Sequence, residues 1–155
     1  SIQAALLMAE MAAACKSKGS CLLERLEALY HAYGYYQEGQ ISLSFDGIEG
    51  QEKINQIMSR FRERDPRIFS GLNAVLIKDY WRETEEDLRS GDSNKTELPK
   101  ADVIHLTLAD GSWIAIRPSG TEPKLKIYLS VKADSLERAA KKLDDLKKFI
   151  KKTIE

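Results

Sequence analysis

Nine residues near the end of the chain restrict the fold more than any others. In Lys124–Lys132 the apolar Leu125, Ile127, Leu129 and Val131 alternate with Lys124, Lys126, Tyr128, Ser130 and Lys132. Successive side chains of a strand point to opposite faces, so this segment is a strand with one dry face and one wet face. That pattern belongs to an antiparallel sheet with helices over the dry side and water over the other. The same alternation marks Ile41, Leu43 and Phe45 against Gln40, Ser42 and Ser44. Further strands are expected at about Asn73–Trp81, with Val75 and Ile77 on one face, at Asp102–Leu108, and at Ser112–Arg117. The last two are joined at Asp110-Gly111, a strong hairpin signal.

Two helices can cover the dry face. Ile54, Ile57, Met58 and Phe61 mark a short amphipathic helix after a turn at Asp46-Gly47-Ile48-Glu49-Gly50. It ends at Asp65-Pro66, because a proline ring excludes the helical conformation from the residue before it. A closing helix begins at Asp134, whose spacing to Glu137 fits a capping box, with Leu136, Ala139, Ala140, Leu143, Leu146 and Ile150 as its stripe. The order from residue 38 onward is therefore β-α-β-β-β-β-α, an α+β fold. The polar stretch Arg82–Lys100 reads as an exposed loop.

Residues 1–37 differ in kind. Ile2, Ala5, Leu6, Ala9, Ala12 and Ala13 form the stripe of one helix, which Lys18-Gly19 ends. Ser20 caps a second helix, with Leu22, Leu23, Leu26, Leu29, Tyr30 and Tyr33 inside. The chain opens directly in a helix with neither initiator Met nor basic leader, so it reads as a piece cut from a longer protein. Cys15 and Cys21 flank the turn between these helices, and reduced thiols in a cytoplasmic setting are the expectation.

Composition narrows the function. The 155 residues carry 24 bases and 24 acids, for a net charge of zero, which argues against non-specific nucleic-acid binding. No apolar run approaches the roughly 20 residues of a membrane span. His31 and His105 lack the partners of a triad, and they read as locally packed or surface residues. No Cys/His cluster has zinc spacing.

The chemistry is concentrated in Arg117-Pro118-Ser119-Gly120-Thr121-Glu122-Pro123-Lys124. Gly120 admits close backbone approach, and neighbouring amides in a tight loop form an anion nest. Ser119 and Thr121 add hydroxyl donors, Arg117 a planar fork matched to phosphate, and Lys124 a further charge. From 117 to 132 four bases face the single acid Glu122. This suits a phosphate monoester. On residue types alone, an ordinary proline-bracketed connection between strands stays open, and Trp113, which shares its strand face with Arg117, reads either as core or as support for the loop.

The run Ala109–Tyr128, with Arg117–Lys124 at its centre, strongly resembles the C-terminal signature of the α-D-phosphohexomutases, the phosphoglucomutase and phosphomannomutase family. Leu22-Leu23-Glu24-Arg25-Leu26 and Tyr33-Gly34-Tyr35-Tyr36 resemble the end of that family's third domain, and the likeness is greatest to its phosphoglucomutase branch. The resemblance implies a helical remnant of the third domain over 1–37 and a complete fourth domain over 38–155. That domain is of the TATA-box-binding-protein-like β-α-β4-α type. It implies an intramolecular phosphotransferase that interconverts hexose 1-phosphate and 6-phosphate through a bisphosphate, with Mg²⁺ and a phosphoserine held by other domains in cis. Arg117, Ser119, Gly120, Thr121 and Lys124 would grip the non-transferring phosphate of a phosphosugar.

The family's Ser-His-Asn-Pro nucleophile loop, Asp-x-Asp-x-Asp metal run and Glu-Glu-Ser-Gly-His sugar loop are all absent. The chain alone is therefore expected to hold no catalytic residue, metal or cofactor, and to be inactive. Its partners would be the phosphosugar and the other mutase domains, with neither nucleic acid nor membrane, and with self-association through the apolar surface of 1–37. A free-standing binding module for phosphorylated metabolites, or a phosphopentomutase or phosphomannomutase parent, remains the alternative.

Overall fold

A computed structural model describes residues 1–45 and 47–154. Helices α1 (Ile2–Ser17) and α2 (Leu22–Tyr33) precede strand β1 (Tyr35–Ser44). Helices α3 (Gly47–Arg62) and α4 (Pro66–Leu72) follow, then β2 (Ala74–Asp79), β3 (Thr84–Asp87) and β4 (Ser93–Lys95). The chain continues through β5 (Ile104–Leu108), β6 (Trp113–Pro118) and β7 (Lys124–Ala133) to α5 (Leu136–Ile154). The strands form one antiparallel sheet in the order β1-β7-β6-β5-β2-β3-β4.

The alternation in β7 is realised as read: Leu125, Ile127, Leu129 and Val131 are buried. They join Ile114 and Ile116 of β6, Ile104 and Leu106 of β5, and Ile41 of β1 in one core. Helix α3 closes it with Ile54, Met58 and Phe61, α4 with Ile68 and Leu72, and α5 with Ala139, Leu143 and Ile150. Every helix that contributes to the core lies on the same side of the sheet, and the opposite face stays open. The expected α+β fold is the observed one.

Several local readings change. Residues 47–50 are the first turn of α3 rather than a turn, while Asp46 lies outside the described residues. Pro66 opens α4 as well as ending what precedes it, since a helix's first residue needs no N–H partner and Asp65 caps the start by accepting from the Arg67 N–H at 2.9 Å. The stretch 82–100 is not simply a loop: β3 pairs with β2, and β4 with β3. The acids of β3 are matched by bases, Glu85 to Lys78 at 2.8 Å and Glu86 to Arg64, so a charged strand can extend the sheet edge. Ser135 rather than Asp134 caps α5, with its Oγ accepting from the Arg138 N–H at 3.2 Å, while Asp134 pairs with Arg138. Leu136 and Ala140 of the expected stripe are exposed.

The turn after β2 is tied to α3 through Asp79, which is 4% exposed. Its carboxylate accepts from the N–H groups of Trp81 (3.0 Å) and Arg82 (3.3 Å) and from Arg62 Nε (3.2 Å).

Helices α1 and α2 bury no residue, and Ile2, Leu6, Leu7, Leu23 and Tyr33 are exposed. Gly19 sits at φ +71°, with its own N–H on Lys16 O and the Ser20 N–H on Cys15 O, which is the glycine stop the sequence predicts. The cap of α2 shifts by one residue: Glu24 accepts from the Cys21 N–H at 3.1 Å and from Ser20 Oγ at 2.7 Å. Tyr30 stacks on Tyr35 at 5.1 Å, and His31 meets the edge of the same ring, a packing role. Cys15 and Cys21 are both free thiols.

Candidate functional site

The β6–β7 connection lies at one end of the sheet and is held by its backbone. The Ser119 N–H donates to Lys124 O at 2.7 Å, the Lys124 N–H to Glu122 O at 2.7 Å, and the Phe45 N–H to Pro123 O at 2.9 Å. The strand ends are therefore fixed while the loop between them, 119–123, projects outward.

Within this frame Arg117 is the last but one residue of β6, lies on the open face and is exposed. Its register partner on β7 is Lys126, whose other neighbour is Ser42 of β1. Two cations thus sit directly opposite each other on one face, an arrangement that costs stability when nothing negative lies between them. Among the described residues neither has an ion pair. In the sequence Lys126 stands out only as part of the local charge. Its place beside Arg117 follows from hairpin register, and that depends on how the loop closes.

Lys124 begins β7 on the same face, but its ammonium is bonded to Glu122 at 2.7 Å. This bond holds the Glu122 carboxyl below its ordinary range, with Lys126 adding a smaller pull in the same direction. Ser119 is half-buried, and Gly120 and Thr121 are exposed. Neither hydroxyl is engaged by another described side chain or backbone group. Gly120 does not have a positive φ, and a Cβ built there meets nothing within 4 Å. Neither turn geometry nor packing in the chain demands glycine at this position.

Farther along the open face, His105 stacks on Trp113 at 5.6 Å, and its buried Nδ1 has no partner. Burial and the nearby Lys78 push its pKa below the ordinary value. His105 is four strand positions from the loop end by register and does not join Arg117. Trp113 supports His105 rather than the loop. Among the described residues no group of three His, Cys, Asp or Glu side chains converges to hold a metal ion. Nor is any helix there long and apolar enough to cross a membrane.

These features define a class: an open-faced α+β domain that presents a cationic, hydroxyl-bearing loop at one sheet end. Residues 10–148 match the family described as phosphoglucomutase/phosphomannomutase, C-terminal domain, and the chain belongs to that family. A phosphoglucomutase of Staphylococcus epidermidis (strain ATCC 35984) is 37% identical over 144 residues, which is 93% of this chain and 26% of that protein. One from Staphylococcus aureus (strain RF122) is 35% identical over 143 residues, 92% of this chain and again 26% of the relative. The chain thus spans about a quarter of the length of these relatives. The fold is also that of part of the Paramecium phosphoglucomutase pp63/parafusin in its open form. There the TM-score is 0.55 over 86% of this chain and 22% of that one, at 15% identity.

Proposed function

We propose that this chain is the phosphate-gripping part of a phosphoglucomutase-like enzyme that interconverts hexose 1-phosphate and 6-phosphate. Residues before Gly34 would be the closing helices of the preceding domain. The C-terminal domain would then begin with β1 at Tyr35, since the division expected at 37/38 falls inside that strand. The observation that carries the reading is the register pair of exposed Arg117 and half-buried Lys126 beside two unengaged hydroxyls. An anion bound between the two bases turns a repulsive contact into two charge-assisted bonds.

In this reading Arg117 supplies a bidentate fork, and Ser119 and Thr121 donate through their hydroxyls. The Gly120 amide is approached closely because no side chain covers it, and Lys126 balances the charge. Lys124 neutralises Glu122, the one acid of the loop. The loop performs no bond chemistry. It holds one phosphate so that the other end of the sugar is presented to a phosphoserine elsewhere in the parent, which lowers the entropic cost of reaction. The metal and nucleophile belong to other domains, and these loop residues do not choose the sugar.

The test is a titration of the 155-residue chain with inorganic phosphate, followed by amide NMR. Charge-assisted bonds contribute about 1.5–3 kcal/mol each, but ordering and desolvation of an open loop offset most of that, so binding near 1 mM, about −4 kcal/mol, is expected. Amides 117–126 should move, and Arg117→Ala should weaken the effect at least tenfold. Shifts that are absent, or identical in the variant, would refute the site. In a coupled assay on glucose 1-phosphate the chain alone should give no turnover.

A further inference from the structure

A second site lies on the helical side of the sheet. Residues of α3, α5 and the end of β1 line a groove of about 500 Å³, within the usual range of small-molecule sites. Its floor is apolar: Leu43 near the end of β1, Phe45 just after it, Ile57 from α3 and Ile154 from α5. Its mouth is cationic, with Lys53 on α3 and Lys151 on α5, both exposed. Among the described residues no acid lines the groove, and neither lysine has an ion pair.

The third cation here, Arg60, is already committed. Its Nε is bonded to Asp65 at 2.8 Å, and its Nη2 donates to Thr153 O at 2.6 Å. That second bond runs from α3 to α5 and closes the groove at one end. A through-running peptide or helix is therefore poorly accommodated, whereas a single tail entering from the open end is not.

We infer that this groove binds an amphipathic monoanion, an unbranched acyl chain ending in a carboxylate. The chain would lie on the half-buried Leu43 and Phe45, with Ile57 (6% exposed) and Ile154 (8% exposed) beneath it, and would cover the apolar surface these still show to water. The carboxylate would sit between Lys53 and Lys151, two like charges that face one mouth from different helices. A neutral tail satisfies only the floor, and a small inorganic anion satisfies only the rim. The groove also adjoins the phosphate loop, because Phe45, part of its floor, is hydrogen-bonded through its N–H to Pro123 O. The inference does not rest on the loop's function.

The probe is decanoate below its micellar range, titrated into the 155-residue chain and followed by amide NMR. Saturable shifts are expected at residues 43–45, 57 and 154. The double variant Lys53→Gln/Lys151→Gln, which changes only exposed side chains, should bind at least tenfold more weakly. Decyl maltoside, with the same tail and no charge, should also be at least tenfold weaker on the unmodified chain. If the double variant does not fold, the two single variants replace it, and each should weaken binding. Shifts that do not saturate, that are equal in the variants, that are equal for the neutral detergent, or that require anionic vesicles rather than free decanoate would each overturn the assignment. Inorganic phosphate is titrated separately and reports on residues 117–126, so failure at one site leaves the other readable.

Discussion

Gly120→Val separates a glycine kept for the fold from one kept for a ligand. A Cβ at this position would meet nothing within 4 Å, and the backbone is not in the left-handed region. The native chain therefore loses no contact and gains no clash when a side chain is added. The unfolded chain becomes less flexible, which for a compatible glycine is worth about 0.4–1 kcal/mol of stability. Urea unfolding should show stability unchanged or raised by up to that amount. Phosphate binding should respond in the opposite direction. Two added methyl groups shield the Gly120 amide, and losing one hydrogen bond to a charged oxygen costs about 1.5–3 kcal/mol. From a starting point near 1 mM, about −4 kcal/mol, that loss leaves weak binding in the range of tens to hundreds of millimolar. Gly120→Ala, with a smaller shield, should lie between wild type and valine in affinity while matching valine in stability. Both measurements are made on one protein sample, unfolding by fluorescence and binding by amide NMR. A destabilisation above about 1 kcal/mol would show the glycine to be structural, and unchanged phosphate affinity would remove Gly120 from the site.

Two further outcomes concern the scaffold. His105 has a folded pKa below its ordinary value of 6.5, through burial first and Lys78 second, so below about pH 6.5 the unfolded chain binds more protons than the folded one. Its contribution is present above that pH and is lost as the pH falls, so urea stability should drop between pH 7.5 and 5.5, and His105→Phe should flatten part of that drop. A variant with the same pH slope as wild type would exclude this group as the cause. Asp79→Asn keeps an oxygen for the Trp81 and Arg82 amides but loses the charged bond from Arg62, and should cost about 1.5–3 kcal/mol. Asp79→Ala removes the amide acceptor as well and leaves Arg62 without its buried partner, and should cost about 3–5 kcal/mol by urea unfolding. Equal losses in the two variants would show that the amide bonds contribute nothing.

What could be read from the sequence follows from what each element leaves there as a signal. β7, β6 and β1 have one wet face, so burial writes a period of two into them, and Ile127 or Ile41 can be placed inside without coordinates. The Asp110-Gly111 turn was equally legible, because Gly111 needs φ +82° and Asp110 Oδ1 accepts from the Ser112 N–H at 2.8 Å. β3 leaves no such trace. Thr84–Asp87 is held by backbone pairing to β2 and by ion pairs, and neither produces alternation. The seven residues of α4 are too few for a helical period to emerge, and Pro66 reads as a stop although it also starts a helix. In the loop the residue types pointed to an anion, but their arrangement was hidden. The bond from Lys124 to Glu122 and the opposition of Arg117 to Lys126 depend on side-chain choice and register, which the order of residues does not state.

The two faces of the sheet divide the labour, and this constrains where variation can act. Stability rests on the covered face, where residues such as Phe61, Ile104 and Ile127 are fully buried, and truncating any of them should cost several kcal/mol. The open face contributes little burial and carries the internal conflict, with Arg117 set against Lys126. Natural chains keep like charges in register where something else compensates. The compensation can be an acid of the chain, as Glu85 is for Lys78, or an anion from outside. At the loop end Glu122, an acid of the loop itself, is bonded to Lys124 instead. If the conflict were only tolerated, replacing Lys126 by Ser should stabilise the fold and leave everything else unchanged. If an anion resolves it, the same replacement should gain stability in buffer without phosphate and lose that advantage as phosphate is added, because the lysine-bearing chain binds the anion more tightly and so gains more from it.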